Sequence, residues 1–148
     1  MYGLPYRQTA TAEIRGGADT PDIYGTVSFY QKRDGVLIVT NIFNLQHQNN
    51  SGFFGFHIHE GNSCEGENFM ETGNHYDPSG VPHPVHAGDL PPLMLYNGGA
   101  YMAVMTDRFS VNDVIGRTVV IHSSPDDFTS QPSGNAGKKI ACGVIVKA

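Results

Sequence analysis

Six of the seven histidines of this chain lie between residues 57 and 122, most of them beside apolar or turn-forming neighbours. The sharpest motif is Phe56-His57-Ile58-His59, in which two histidines flank one apolar residue. Alternate side chains of a β-strand point to the same face, and each residue advances the chain by about 3.3 Å. His57 and His59 would therefore project together. Because imidazole is the commonest metal ligand among side chains, this pair could hold one metal ion.

The histidines that we predict on strands form a ligand set made only of nitrogen: His57, His59 and His122. All-nitrogen, near-planar coordination suits copper(II). A second set, in and after a long loop, also offers oxygen, because His83 and His86 are followed by Asp89. Three such ligands with a fourth form the tetrahedral nitrogen and oxygen site that zinc prefers.

His75 lies between these two sets in the sequence. An imidazole ring has two nitrogens, so His75 could serve either site or bridge both of them. His47 lies outside the pattern. An isolated histidine is more often a surface or core residue than a ligand, and we predict no metal role for His47.

The elements that would position these ligands are mostly strands, because short segments rich in β-branched and aromatic residues alternate with turn signals. Arg33-Asp34-Gly35 predicts a hairpin, and Ser110 could cap one helical turn over 111–115. Two long segments with little strand character, 61–88 and 123–138, contain or adjoin the histidines, and such loops are usually functional. The predicted strands cover residues 8–15, 23–32, 35–43, 53–60, 89–95 (the weakest), 100–107, 117–123 and 139–146.

The composition favours one all-β domain over residues 1–148, with many short strands that form a sandwich or barrel. A net charge of −5 without clustered Lys or Arg argues against nucleic-acid binding, and an anionic substrate would need local positive charge. No apolar run approaches the ~20 residues that span a bilayer. No secretory signal is visible at the start, which favours a cytoplasmic protein, although an exported and already processed form stays open.

Five motifs, in this order along residues 55–143, resemble those of copper/zinc superoxide dismutases. They are Gly55-Phe56-His57-Ile58-His59-Glu60, Gly73-Asn74-His75-Tyr76-Asp77-Pro78, His86-Ala87-Gly88-Asp89-Leu90, Gly116-Arg117-Thr118-Val119-Val120-Ile121-His122 and Gly134-Asn135-Ala136-Gly137-Lys138-Lys139-Ile140-Ala141-Cys142-Gly143. With the N-terminal strands, the resemblance covers nearly the whole chain. It implies an eight-stranded, immunoglobulin-like Greek-key β-sandwich or flattened barrel with two long functional loops.

The resemblance also implies one copper and one zinc ion per chain, with His75 as the shared ligand. Asp126 matches the carboxylate that hydrogen-bonds ligands of both metals. Cys64 and Cys142 match a disulfide that ties the first long loop to the last strand, whereas two cysteines in a cytosolic chain would otherwise favour free thiols. The implied copper ligands are His57, His59, His75 and His122, and the implied zinc ligands are His75, His83, His86 and Asp89.

The implied activity is the conversion of superoxide to dioxygen and hydrogen peroxide by alternate reduction and oxidation of the copper. The zinc and the bridging His75 support this chemistry, and His75 handles a proton. Lys139 stands where the family usually has Arg beside the copper. Lysine keeps the positive charge but lacks the planar fork of donors, and we predict that Lys139 binds the substrate anion.

Both loops are shorter than in better-known members of the family. His83 and His86 are separated by only two residues, and 128–134 holds no Lys or Arg, so steering of the substrate would be weaker or supplied by residues elsewhere.

The alternative function is a copper- or zinc-binding protein for storage or delivery on the same fold, without useful turnover. A purely structural sandwich would leave seven placed ligands without a role. The family commonly forms homodimers through different surfaces, so a homodimer is possible. The residues that could supply positive charge to steer the substrate anion are Lys138, Lys139, Arg108 and Arg117.

Overall fold

Strands dominate the computed structural model, which describes residues 7–46 and 48–148. His47, for which we predict no role, lies outside the described residues. The helical elements described are a 3₁₀ segment at Glu67–Thr72 and a single turn, α1, at Val111–Val114. The described strands are β1 (Ala10–Gly16), β2 (Tyr24–Lys32), β3 (Gly35–Phe43), β4 (Phe53–Phe54), β5 (Phe56–His59), β6 (Leu93–Met94), β7 (Ala100–Thr106), β8 (Thr118–His122) and β9 (Lys139–Lys147).

Seven of these strands form one curled antiparallel sheet in the order β5-β8-β9-β1-β2-β3-β7, while β4 and β6 pair separately. Strands distant in sequence lie side by side, as β9 and β1 do, which is the pattern of a Greek-key fold. The predicted all-β class is confirmed. The β2–β3 hairpin pairs Lys32 with Gly35, as the turn signal predicts. At α1, the Asp113 carboxylate accepts hydrogen bonds from the Ser110 amide and hydroxyl.

Two strand limits differ from the prediction for identifiable reasons. The predicted strand 53–60 is divided at Gly55, which leaves the ladder to pair its own amide with the Ser124 carbonyl. The prediction of a strand over 89–95 is wrong except at Leu93–Met94. Pro91 and Pro92 have no amide hydrogen to donate, so they interrupt the ladder.

The interior of the curled sheet is filled by large apolar side chains that alternate with outward residues along β2 and β3. Phe29, Phe56 and Ile58 are completely buried, and burial of each such side chain contributes roughly 1.5–3 kcal/mol. In contrast, every residue of β5 and β8 is buried. The two long loops cover the outer face of these strands, and this covered face carries the strand histidines.

A disulfide joins Cys64 to Cys142 on β9, as the family resemblance implies. It fastens the segment that leads into the 3₁₀ turn to β9, near the middle of the sheet. Among the described residues, no helix is long and apolar enough to cross a membrane.

Candidate metal centre

The pairing of β5 with β8 places the strand histidines. His57 lies opposite Val120 and His59 opposite Thr118, so both histidines point away from the core towards the loops. His122 ends β8 at a bulge in its pairing with β9. Single bridges join His57 to Asp89 and His59 to His75, and they bring the first long loop against the outer face of β5.

Four buried histidines form the first cluster, in which one ring nitrogen from each lies within 4.8 Å of the others. Nε2 of His59 lies 3.2 Å from Nε2 of His122. The ring centroids of His57 and His75 are 3.9 Å apart. This spacing lets the rings share one ion. The cluster consists of His57, His59, His75 and His122.

The second cluster surrounds the Asp89 carboxylate and also has its ligand atoms within 4.8 Å of one another. Nδ1 of His75 lies 2.7 Å from Oδ1 of Asp89. Nδ1 of His83 and Nδ1 of His86 each lie 3.1 Å from Oδ2 of the same carboxylate. His75 thus belongs to both clusters, and the structure brings together all the ligand residues that the sequence predicts.

Three buried ring nitrogens have no partner in hydrogen-bond geometry among the described residues: His57 Nδ1, His75 Nε2 and His83 Nδ1, although the last lies 3.1 Å from Oδ2 of Asp89. Leaving a buried polar atom unpaired costs about 1–3 kcal/mol, so each such atom needs an explanation. These rings belong to the two clusters, and the second nitrogen of each ring is engaged elsewhere. An ion in the first cluster would bind the orphaned nitrogens of His57 and His75, and an ion in the second would bind that of His83. The residues therefore fit a metal that accepts nitrogen ligands alone in the first cluster and a zinc ion in the second.

Asp126 links the two clusters by hydrogen bonds to one histidine of each. Its Oδ2 lies 2.7 Å from Nε2 of His57, and its Oδ1 lies 2.8 Å from Nε2 of His83. A carboxylate in this position fixes the tautomer and orientation of both rings. A side chain at Gly134, where φ is 77°, would overlap with the Asp126 carboxylate, so glycine is required there. The His59 ring is fixed in the same way by the Gly73 carbonyl, 2.9 Å from Nδ1.

The surroundings keep these groups in the charge state that metals bind. Burial, followed by repulsion from His57 and His75, lowers the pKa of His122 to about 3. Burial and the neighbouring His122 also bring the pKa of His59 well below its usual value. Burial alone would raise the pKa of Asp126, but hydrogen bonds with His57 and His83 outweigh it and hold that pKa far below its usual range. Neutral imidazoles and an ionised carboxylate therefore persist at neutral pH.

The comparisons with known proteins agree with this geometry. A family model described as copper/zinc superoxide dismutase matches residues 23–145. This chain belongs to the copper/zinc superoxide dismutase family. It is similar to a protein named Superoxide dismutase [Cu-Zn] 2 from Aquifex aeolicus (strain VF5), with 34% identity over 84% of this chain and 80% of the relative. It is also similar to Superoxide dismutase [Cu-Zn] from Legionella pneumophila, with 36% identity over 91% of this chain and 85% of the relative.

In this superoxide dismutase, side chains that the sequence left without a structural role hold the metal loop in place. The Gln131 side chain accepts a hydrogen bond from the His83 amide at 2.9 Å and donates one to the His83 carbonyl at 2.7 Å. Arg108 donates to the carbonyls of Pro84 and His86, at 2.9 and 3.0 Å. No motif marks Gln131, an uncharged loop residue, so sequence reasoning missed it.

A cavity of about 440 Å³ opens onto the first cluster of this superoxide dismutase, and its lining includes His59, His75 and His122. Lys139 is the one lysine or arginine among the residues that line it, and the carboxylates of Glu60 and Asp77 also line it. Burial lowers the pKa of Lys139 from its ordinary value of 10.5.

The other candidate cations for steering have different surroundings. Arg108 binds loop carbonyls, and Arg117 donates to the carbonyls of Asp113 and Glu60 while lying over the Tyr76 ring. Lys138 is exposed and does not line the metal cavity, although it lines a neighbouring cleft that Lys139 also borders. Local positive charge at the cavity thus comes from Lys139.

Proposed function

We propose separate copper-binding and zinc-binding roles for the side chains of the two clusters, with His75 as the ligand common to both metals. The observation that carries it is the membership of His75 in both clusters, since its Nδ1 faces Asp89 while its buried Nε2 is orphaned. The proposed copper ligands are His57, His59, His75 and His122, and the proposed zinc ligands are His75, His83, His86 and Asp89.

Copper supplies a one-electron redox couple, which zinc does not have. The protein's own groups supply the rest. Nε2 of His75 is the buried nitrogen beside the cavity that can hold a proton and pass it to the peroxide product. Asp126 keeps His57 and His83 in fixed orientations, so that the ligand atoms need not rearrange between turnovers.

We propose that Lys139 attracts and holds the substrate anion. Lys139 is half-buried, and charge acts more strongly where water is partly excluded. The chain as a whole carries −5, so superoxide is attracted by local charge alone. A lysine gives one point charge in place of the two-pronged arginine donor, and we therefore expect effective but less oriented anion binding.

The decisive experiment loads the purified protein with both metals and combines metal analysis with a superoxide-consumption assay. One copper and one zinc per chain, with rapid turnover that disappears on removal of copper, would support the proposal. Full occupancy with negligible turnover would contradict it and favour storage or delivery of metal. His75→Gln tests the shared ligand, because it should impair binding at both clusters. Replacement of the exposed Met70 by Gln is the matched control.

A homodimer is the assembly that we propose, through the outward face of β2, β3 and β7. The side chains that this face presents include Tyr24, Phe43, Tyr101 and Met105, which are 44%, 43%, 65% and 47% exposed. Apart from Lys32 at the end of β2, none of the residues that point outward from these three strands is charged. Large uncharged faces rich in aromatic residues are typical of interfaces. Sedimentation of wild type and Tyr101→Lys tests this: conversion to a monomer supports it, and an unchanged mass contradicts it.

A further inference from the structure

The ammonium group of Lys139 has two hydrogen-bond acceptors in the loop that precedes His75. Its Nζ lies 2.7 Å from Oγ1 of Thr72 and 3.2 Å from the Gly73 carbonyl oxygen. The same carbonyl accepts a hydrogen bond from Nδ1 of His59 at 2.9 Å. The cation is thereby held at a fixed distance from a ring of the first metal cluster.

The Thr72 hydroxyl can only accept from Lys139, because its own proton is already used. It donates to the Phe69 carbonyl at 2.8 Å. Thr72 is completely buried, so water does not replace the lysine as a partner of the hydroxyl. A hydroxyl has one donor and two acceptor positions, so the arrangement directs a lone pair at the ammonium.

The loop is shaped to present this hydroxyl. Asn68 and Phe69 both adopt left-handed backbone conformations, with φ of 54° and 57°, which is unusual for residues with side chains. The Phe69 ring lies against Gly17, where an added Cβ would be 2.9 Å from the ring. This contact and the Cys64–Cys142 disulfide fasten the loop before Thr72, and the hydrogen bond from the Glu60 amide to the Asn74 carbonyl fastens it after Thr72.

We propose that Thr72 is a positioning residue, whose hydroxyl holds the Lys139 ammonium at the cavity and so sets the affinity for the substrate anion. The proposal rests on the proposed role of Lys139. A lysine side chain has a flexible four-carbon stem, and immobilising it costs conformational entropy. If the side chain is already anchored in the free protein, that cost is not added when the anion binds, so the anion binds more tightly. Two of the three ammonium hydrogens are taken by Thr72 and Gly73, which leaves the third for the anion.

The test measures the dissociation constant of azide, a stable small anion, by the change in copper absorption of the metal-loaded protein. Thr72→Val removes the hydroxyl at nearly constant shape, and we expect azide to bind about three- to tenfold more weakly. Thr72→Ser retains the hydroxyl and should restore the affinity. Thr40→Val is the matched control, because Thr40 is also completely buried and its hydroxyl has no partner among the described residues.

Lys139→Ala separates this inference from the proposed function. If Lys139→Ala leaves azide binding unchanged, the anion-binding role of Lys139 is wrong. If Lys139→Ala weakens binding and Thr72→Val does not, only the positioning role is wrong. Thr72→Val should have no further effect when added to Lys139→Ala, whereas an equal loss in both backgrounds would show that Thr72 acts without Lys139.

A second measurement does not depend on bound metal or on turnover. In the metal-free protein, the two ε-hydrogens of an anchored Lys139 should give separate NMR signals, and in Thr72→Val they should merge as the side chain becomes mobile. Separate signals in both proteins would overturn the inference. This readout also serves if a variant loads metal poorly.

Discussion

Gln131 and His83 exchange a pair of hydrogen bonds, in which the side-chain amide of Gln131 meets both the backbone N–H and the backbone C=O of His83. The two residues are 48 positions apart and belong to different long loops. A side-chain amide that pairs with a peptide unit imitates one rung of a β-ladder. It therefore joins the loop that follows β8 to the loop that carries the zinc-type ligands.

Replacement of Gln131 by Ala should loosen the second metal cluster without removing a ligand. We expect the zinc dissociation constant to rise about tenfold, because the backbone of His83 loses both of its partners in the other loop. Competition with a chelator measures the change. Gln8→Ala is the control, since Gln8 bonds to Ser28 on an exposed surface. Unchanged zinc retention would contradict the role of Gln131.

Asp126→Asn should weaken both metal sites together. The amide nitrogen of Asn would face a ring N–H of either His57 or His83, and the negative charge that stabilises both rings would be lost. Loss of such a partner typically costs 10- to 100-fold in metal affinity. Separate titrations with copper and zinc measure the two affinities, and Asp127→Asn, at an exposed neighbour, is the control. A loss at one site alone would contradict the linking role of Asp126.

The activity should decline at alkaline pH because Lys139 loses its proton. Burial lowers the pKa of Lys139 below 10.5, so the attractive ammonium is lost at a lower pH than for an exposed lysine. Lys139→Arg should preserve or raise activity and move the decline to higher pH, since arginine stays protonated. Lys139→Ala should lower activity, most strongly at low ionic strength.

Rate measurements from pH 7 to 11 at two salt concentrations test the role of Lys139. Lys138→Ala is the control, because Lys138 is exposed and does not line the metal cavity. An unchanged rate for Lys139→Ala would remove Lys139 from the mechanism.

The metal-free protein should become less stable as the pH falls below about 6.5. The pKa of His122 is lowered to about 3, so between these values an unfolded chain binds a proton at His122 and the folded chain does not. The free energy of unfolding then rises with pH, by about 1.4 kcal/mol per pH unit for this one residue. Urea unfolding at several pH values measures the slope, which should be smaller in His122→Gln. Equal slopes in the two proteins would contradict the lowered pKa.

Removal of the disulfide by Cys64→Ser and Cys142→Ser should lower the free energy of unfolding by about 4 kcal/mol, since the bond closes a long loop in the unfolded chain. Chemical unfolding of the double variant measures the loss. The wild-type protein treated with a reductant is the control for packing effects of serine. A loss well under 1 kcal/mol would contradict this account.

Much of the site was accessible from sequence because metal ligands need particular side chains at particular spacings. His57 and His59 follow from strand alternation, and Asp89 from its place beside His86. The division into a nitrogen-only set and a set with Asp89 followed from the residue types, whereas the choice of His75 as the shared ligand, the disulfide and Asp126 came from the family motifs. The cytoplasmic location and the single-domain extent stay predictions.

The remaining residues were inaccessible because their roles come from tertiary contact. Thr72 and Gln131 are ordinary loop residues until the fold brings each against a group more than 45 positions away. The division of strand 53–60 depends on the approach of Ser124 to Gly55, which no local pattern encodes. The steering role of Arg108 stays a prediction, and its hydrogen bonds to the Pro84 and His86 carbonyls were inaccessible from sequence for the same reason.

The hydrogen atom that serves as the side chain of Gly134 has a consequence for how this protein can vary. Any other residue there adds a carbon that overlaps with the Asp126 carboxylate and lies 2.6 Å from Nε2 of His83. A saturation library at position 134, sorted for proteins that retain both metals, should therefore return glycine alone. The neighbouring exposed Asn135, where φ is 52°, should accept chiefly the residues that tolerate a left-handed backbone, which are glycine, aspartate and histidine. Selection for metal retention alone would then keep glycine at position 134, even though no ligand atom belongs to that residue.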